Sequence, residues 1–289
     1  MKTSVIIAAK NGSESIKDCL NAWKAQLHAT DEIIVAHAED DSTAEIVQRH
    51  FPAVRLVELE KKALVPDLLS AGIFLASGEI IAVTSTNFIP RDAWIKHARI
   101  LMASGLSGAG GAVENNKNAT LTDTAVYFCK YWRFMPPFKS TETDHLPSEN
   151  AIYRLSDLLK FRGAIRDGFW ESDINSLMKQ EGLHLLLTQD LTAVHKYGAG
   201  ILNFFVNCIR YGSHYARERS ISLGLGQCLL NAIGSPFTPF VHLKRIRNAA
   251  EKDSRRKKAL MRATALLFLF LVGWALGEAR GYIAGPLEK

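Results

Sequence analysis

Four short stretches of this 289-residue chain carry side chains suited to chemistry at a polar site. Trp170 and Glu171 stand side by side, with Asp167 and Asp173 as neighbouring carboxylates. A carboxylate against an indole near a protein interior has its pKa raised, which suits a general base. The plain alternative is a Glu at a helix N-terminus, where the dipole favours it. His37 leads into an acidic turn of Glu39, Asp40 and Asp41. Thr84, Ser85, Thr86 and Asn87 offer hydroxyl and amide groups and no carboxylate. His195 closes the run Leu191, Thr192, Ala193, Val194, where a histidine serves as a ligand or as a structural strand-end residue. Cys19, Cys129, Cys208 and Cys228 are scattered, with neither a C-x-x-C pair nor histidines at metal spacing. Reduced, mostly buried thiols fit them better than a disulfide framework or a zinc site.

These stretches fall where a repeating scaffold ends its strands. Residues 4–9 form a β-branched run stopped by Asn11 and Gly12, the pattern of a buried strand and a turn. A helix follows, capped by Ser13 or Ser15, with Ile16, Leu20, Trp23 and Leu27 in one apolar stripe. Strands over 32–36, 54–57 and 80–83 alternate with helices over 44–50 and 67–76. The alternation predicts right-handed βαβ units and a mainly parallel sheet flanked by helices, an α/β fold whose ligands sit beyond the carboxyl ends of the strands. The site is therefore expected at 8–12, 37–43 and 84–90. Further on, Gly105, Gly108, Gly110 and Gly111 read as turns, and an aromatic-rich helix from Tyr127 ends at Pro136. Its aromatics fit a core-packing stripe, with a lipid- or sugar-binding face as the alternative. Residues 140–148 read as a mobile loop, 150–163 and 173–182 as helices, 183–188 and 193–195 as strands.

After residue 200 the pattern changes, dividing the chain into an α/β domain over 1–200 and a helical segment over 201–289. An amphipathic helix over 202–217 precedes Gly- and Pro-interrupted apolar pieces at 223–234 and 236–243. The net charge is +6, and nine Lys/Arg against Glu251 and Asp253 concentrate it in 244–262. The remainder is close to neutral, which excludes a broad nucleic-acid-binding surface. The uncharged residues 263–276 cover ~21 Å as a helix, short of the ~30 Å hydrocarbon core. Extension to 285 takes in Glu278 and Arg280, so a spanning helix and an interfacial helix are both open. With its basic flank, 244–285 is expected to meet an anionic membrane surface; a solvated basic face beside a core helix is the alternative. The first apolar run is too short for a signal peptide, which places the expected location on the cytoplasmic side of the cell membrane.

The order of these pieces resembles a family 2 glycosyltransferase with the GT-A fold, a Rossmann-like nucleotide-sugar-binding domain. The likeness is carried by Ser4-Val-Ile-Ile-Ala-Ala-Lys-Asn-Gly, by Asp31-Glu-Ile-Ile-Val with the acidic turn into Thr43-Ala-Glu-Ile-Val, and by Ala76-Ser-Gly-Glu-Ile-Ile-Ala-Val with Pro90 and Trp94 behind it. Asn150-Ala-Ile-Tyr-Arg and Gly168-Phe-Trp-Glu ahead of Gly182 complete it, over roughly 4–197. The ending Trp274-Ala-Leu-Gly-Glu-Ala-Arg-Gly-Tyr resembles the membrane-attached ends of such enzymes.

The resemblance implies hexosyl transfer from a nucleotide-sugar donor to a lipid-linked or membrane-borne acceptor by inverting single displacement. That reaction needs a carboxylate to deprotonate the acceptor hydroxyl, and cations or hydrogen-bond donors to hold the leaving diphosphate. Glu171 takes the position of the base, with Trp170 where the family usually has an acid. Trp170, Asp173 and Glu114 fall on the acceptor side, Glu114 with a simple turn as its alternative. Ala8, Lys10, Asn11, His37, Asp41, Thr86, Asn87, Asn150 and Arg154 fall on the nucleotide-sugar side, although Arg154 also has Asp157 as a helical ion-pair partner. Arg210, Arg217 and Arg219 either reach phosphates or border the membrane. The family's Asp-x-Asp-like site for Mn²⁺ or Mg²⁺ is replaced by Thr84–Asn87, whose oxygens fill a coordination shell without neutralising a divalent ion. His195 matches a metal- or phosphate-contacting histidine. The missing carboxylates leave a second reading, a catalytically lapsed relative that acts as a binding or scaffold partner of a membrane enzyme. A nucleotidyltransferase fits less well, because 8–12 is a poor Gly-rich phosphate loop.

Overall fold

The computed structural model describes residues 1–38, 41–196, 200–251 and 253–286. Glu39 and Asp40 of the acidic turn, Tyr197 at the end of the resemblance, and Lys252 of the basic stretch lie outside them. The first third alternates as expected: β1 (Thr3–Ala9), α1 (Ile16–Lys24), β2 (Glu32–His37), α2 (Thr43–His50), β3 (Arg55–Glu58), α3 (Val65–Leu75) and β4 (Ile80–Ser85). There follow β5 (Phe88–Pro90), α4 (Trp94–Ala103), β6 (Gly108–Asn115), α5 (Leu121–Tyr131), β7 (Thr141–Glu142), β8 (Asn150–Arg154), α6 (Leu155–Leu158), α7 (Arg162–Arg166), α8 (Glu171–Gln180) and β9 (Leu185–His195). The chain ends in α9 (Ile201–Ser220), α10 (Leu225–Gly234), α11 (Thr238–Ala250) and α12 (Ser254–Ala284).

Three expectations are corrected in the middle of the chain. Gly108, Gly110 and Gly111 lie inside strand β6 rather than in turns. The helix expected from Asn150 begins as strand β8, because Ala151, Ile152 and Tyr153 form a fully buried apolar run that periodicity alone does not tell from a helix. The two strands expected at 183–188 and 193–195 are one, β9, and the loop at 140–148 contributes β7 to its side.

The sheet runs β3-β2-β1-β4-β8-β6-β9-β5, with β7 also on β9. β1, β2, β3 and β4 are mutually parallel, β8 is antiparallel to β4 and β6, and β6 is parallel to β9. Six strands therefore present their carboxyl ends along one edge. Alternate β1 residues serve opposite faces: Val5, Ile7 and Ala9 join Leu20, Trp23, Val47 and Trp94 of α1, α2 and α4, while Ile6 and Ala8 join Leu68, Ile73, Ile174 and Met178 of α3 and α8. Gly111 is required by a close approach. A Cβ there would lie 1.5 Å from the Leu191 carbonyl oxygen, at the bulge where β9 runs from Thr188 to Ala193 while β6 runs from Gly111 to Val113.

By its internal contacts the chain forms two compact units, Met1–Asn116 with Phe134–Tyr197, and Lys117–Arg133 with Gly198–Lys289. Segment 117–133, which contains α5, thus belongs with the C-terminal helices rather than with the rest of 1–200. Within that second unit α12 packs on α9, α5, α11 and α10. Phe205, Ile209 and Ser213 of α9 meet Gly273, Gly277 and Gly281 of α12, so the two helices run parallel. The glycines recur every fourth residue, a small-residue stripe that lets backbones approach closely. A Cβ on Gly277 would stand 2.1 Å from the Ile209 carbonyl oxygen. Among the described residues α12 is the one helix long and apolar enough to cross a membrane, yet Leu267, Phe270 and Leu271 are buried inside the unit. We predict that Gly277→Val lowers stability by about 1–3 kcal/mol through overpacking. Gly234→Ala, with nothing within 4 Å of its added methyl, is expected to be near neutral in the same denaturant titration.

Candidate active site

The carboxyl edge gathers the ends of β1, β2, β4 and β9. At the end of β1, Asn11 adopts φ +53°, and the Gly12 carbonyl accepts from the amides of Ser15 (3.0 Å) and Ile16 (2.8 Å) to start α1. Gly12 must stay small, since a Cβ would fall 2.9 Å from Thr86 Cγ2. Lys10 Nζ donates to the Ala63 carbonyl at 2.8 Å, binding the β1 end to the loop before α3. Asp41 accepts from the Ser13 and Thr43 amides, each at 3.0 Å, and so ties the β1–α1 loop to the start of α2. Burial by itself would raise the Asp41 pKa, but the hydrogen bonds from Thr43 and Ser13 outweigh it and hold the carboxyl below its ordinary value. His37 at the β2 end is only 4% exposed, much as His195 is at the β9 end, and its Nδ1 has no hydrogen-bond partner among the described residues.

The β4 end crosses to β9 through Thr86 and Asn87. The Thr86 amide donates to the Ala8 carbonyl (3.2 Å), and the Lys196 amide donates to the Asn87 carbonyl (2.8 Å). Phe88 then pairs with His195, their rings edge to face at 5.5 Å. Ala8, Asn11, Gly12, Thr86, Asn87 and His195 are thereby brought into one neighbourhood, although they span almost two hundred residues of sequence.

Glu171 opens α8, with Trp170 as the preceding cap residue. Gly168, at φ +107°, turns the chain so that the Phe169 amide donates to the Pro66 carbonyl at 2.9 Å, in the first turn of α3. Because α3 follows β3, this bond sets the start of α8 near the carboxyl edge. Trp170 Nε1 donates to the Asp167 carbonyl at 3.3 Å, and Asp173 bonds back through its amide to Trp170. Tyr153 lies beneath, its hydroxyl donating to Asn175 Oδ1 at 2.9 Å. Burial first, and then the negative charge of the nearby Glu171, push the Tyr153 phenol pKa up.

Three of these residues are engaged by other parts of the fold. Arg154 pairs across from Ile80, at the opposite edge of the sheet, and donates to the carbonyls of Met102 (2.6 Å) and Leu106 (3.3 Å) beside Asp157. It is too far round to meet a diphosphate at the carboxyl edge. Asn150 is fully committed internally: its Oδ1 accepts from Trp94 Nε1 (2.9 Å), and its Nδ2 donates to the Ala112 (3.0 Å) and Leu191 (2.8 Å) carbonyls. Glu114 is held by Arg91 in an ion pair of 2.5 Å, which occupies one of its oxygens. The sequence reading also missed residues. Lys196, paired with Asp18, lines an open groove with Asn21 and Asn116 beside the β9 end. A lysine directly after His195 was the available signal.

The donor set argues against a tightly held divalent metal. Among the described residues no three of His, Cys, Asp or Glu come together as a metal site, and Thr84, Ser85, Thr86 and Asn87 bring no charge.

Asp41 yields a pH prediction. Its carboxyl is below the ordinary 3.8, so its stabilising contribution is present above that value and lost as pH falls through the lower folded value. Asp41→Asn is expected to lower the urea midpoint at neutral pH, with the gap from wild type closing progressively as the pH falls below 3.8.

Residues 4–159 match the model of Glycosyl transferase family 2. Among solved structures, the mannosyltransferase PcManGT from Pyrobaculum calidifontis, in complex with GDP-Man and Mn²⁺, is 17% identical over 98% of this chain and 74% of that chain, with TM-score 0.54. S. aureus TarS 1–349 in complex with UDP-GlcNAc is 14% identical over 100% of this chain and 93% of that one, with TM-score 0.53. GalNAc-T7, with UDP, GalNAc and Mn²⁺, covers 68% of this chain and 44% of its own at 11% identity and TM-score 0.53. Comparison with curated proteins gives no match. Likeness at these identities establishes the fold, and the family match covers more than half of the sequence. The chain belongs to glycosyl transferase family 2 and is a glycosyltransferase of the GT-A fold.

Proposed function

We propose that this glycosyltransferase moves a hexosyl group from a nucleotide-sugar donor to a lipid-linked or membrane-borne acceptor on the cytoplasmic side of the membrane, by inverting single displacement. The observation that carries the reading is the position of Glu171. The family match ends at residue 159, but the Phe169–Pro66 bond brings the start of α8 to the same sheet edge as Gly12, Thr86 and Asn87. In this reading the Glu171 carboxylate takes the proton of the acceptor hydroxyl as that oxygen attacks the anomeric carbon from the face opposite the leaving group. The bond to the donor phosphate oxygen breaks in the same step, and the nucleoside diphosphate departs with the electron pair. Amides at the Gly12 turn, hydroxyls and amide groups at Thr86 and Asn87, and His195 with Lys196 hold that diphosphate. The donors seen with the similar structures, GDP-Man and UDP-GlcNAc, support a nucleotide-sugar donor without selecting the base. Membrane attachment through 244–285 is supported by the apolar α12 and its basic lead-in.

Glu171→Gln is expected to lower kcat by about 10²–10⁴ while leaving nucleotide binding intact. Calorimetric titration of the full chain with UDP and GDP, each with and without Mn²⁺, names the donor class and reads metal dependence directly. Retained turnover in the variant removes Glu171 from the role of base. Binding of neither nucleotide by folded wild-type protein overturns the donor reading and favours a lapsed relative.

A further inference from the structure

From Ser220 to Leu243 the chain runs 24 residues without an Asp, Glu, Lys or Arg, between Arg219 and Lys244. A charge-free stretch of that length is ordinarily the inside of something, but here it is largely outside. Leu225, Leu229, Leu230 and Ile233 of α10 are 59–86% exposed. At ~100° per residue they fall within an arc of about 140°, with the buried Cys228 on the other side of the helix. The chain then turns through Ser235–Phe237 into α11, where Phe237 (68%), Phe240 (61%) and Val241 (47%) are exposed as well. Lys244, Arg245 and Arg247 continue the same solvent-facing side of α11 one to two turns later. Seven large apolar side chains thus stand outward on two consecutive short helices, followed at once by cations.

The two helices are not buried by their own unit: their inward contacts are made by a few residues, Cys228, Ser235, Pro239, Ile246 and Ala250. α12, whose apolar sequence is the first candidate for membrane contact, spends much of its apolar side on α9, α5, α11 and α10. α12 also leaves Met261, Leu269, Leu276 and Ile283 exposed, but these four are spread along most of the helix, whereas the seven outward side chains of α10–α11 stand together between Leu225 and Val241.

We infer that α10, the Ser235–Phe237 turn and the first turn of α11 form an in-plane membrane-docking surface for a bilayer with anionic headgroups. Leucine, isoleucine and phenylalanine enter the acyl boundary, and Lys244, Arg245 and Arg247 meet the phosphates. Charge complementarity selects the occupant: no acidic residue stands in 220–250, so a basic or neutral protein partner gains nothing from the flank, whereas an anionic lipid surface does. Phe240 and Lys244 lie one turn apart, ~6 Å along an axis in the interface, so the ring can enter the acyl boundary while the long lysine stem bends back to the headgroups. The inference rests on the membrane association proposed above and moves its principal contact from α12 to α10–α11.

The test uses the full chain and sedimentation with vesicles of phosphatidylcholine, alone or with about one third phosphatidylglycerol. Wild type is expected to partition onto the anionic vesicles. Leu229→Glu with Ile233→Glu is expected to weaken partitioning by about tenfold or more, because two exposed side chains lose their apolar transfer. Lys244→Ser with Arg247→Ser is expected to remove the preference for the anionic vesicles. The exposed α12 change Leu276→Ser serves as comparison and is expected to have little effect. Circular dichroism melting checks that each variant is folded. Phe237→Trp adds an independent readout, since its fluorescence is expected to be quenched by brominated acyl chains. Wild type that binds neither vesicle overturns the membrane reading as a whole. Wild type that binds while Leu229→Glu with Ile233→Glu binds equally well, or Phe237→Trp that escapes quenching, overturns this surface and leaves the membrane reading standing. A dimer in buffer that the glutamate variants dissociate, with vesicle binding unchanged, assigns the surface to a second copy of this chain instead.

Discussion

The side-chain amide of Asn150 holds together the part of the sheet on which the site depends. Its oxygen takes the indole proton of Trp94 on α4, and its nitrogen reaches carbonyls on β6 and β9 at once. Those two strands lose regular pairing at this place, where β9 carries extra residues past Gly111. A bulge leaves backbone carbonyls without ladder partners, and a buried carbonyl left unpaired is costly. One asparagine answers two of them in a fully buried setting. Beyond the bulge β9 can continue to His195, and there it meets Phe88 and the Asn87 carbonyl. The most distant contributor to the carboxyl edge is therefore placed by a polar contact that itself touches no substrate.

A second theme is how the site distributes charge. The end of β4 is hydroxyl and amide throughout, and Asp41 spends its oxygens on the Ser13 and Thr43 amides. Positive charge is nearby in Lys10 and Lys196, each already engaged, with Ala63 and with Asp18. An arriving diphosphate would compete with a carboxylate for Lys196 and with a neutral carbonyl for Lys10. The second exchange is the easier, because no opposite charge is left exposed by it.

The first half of the fold was legible because period-two and period-3.6 patterns and turn residues agree there. Ile16, Leu20 and Trp23 mark α1 as clearly in the sequence as in the packing; β1 ends at Ala9 as expected, and β2 and β4 run one and two residues past their expected ends, to His37 and Ser85. The middle was less legible for a physical reason. Gly108, Gly110 and Gly111 look like turn residues but are small because Tyr153, Leu146 and the Leu191 carbonyl press on them across the sheet, a fact of tertiary contact. The surroundings of Asn150 and Arg154 were hidden in the same way, since a sequence shows a polar residue and not which carbonyls it reaches. In the C-terminal unit the apolar run of α12 was plain, but its direction was not. The glycines at 273, 277 and 281 were the signal that one face of this helix packs closely on a neighbour.

Helix α5 has a consequence for how the molecule is made. It leaves the ribosome in the middle of the sheet-forming sequence, but the helices it belongs with, α9 and α12, come at the end of the chain. The buried Tyr127, Phe128 and Tyr131 of α5 meet one another at once, but α12, on which α5 packs, emerges more than a hundred residues later. A nascent chain in that state leaves part of an aromatic surface exposed until α12 arrives. Truncation ahead of α12 would leave every copy in it for good.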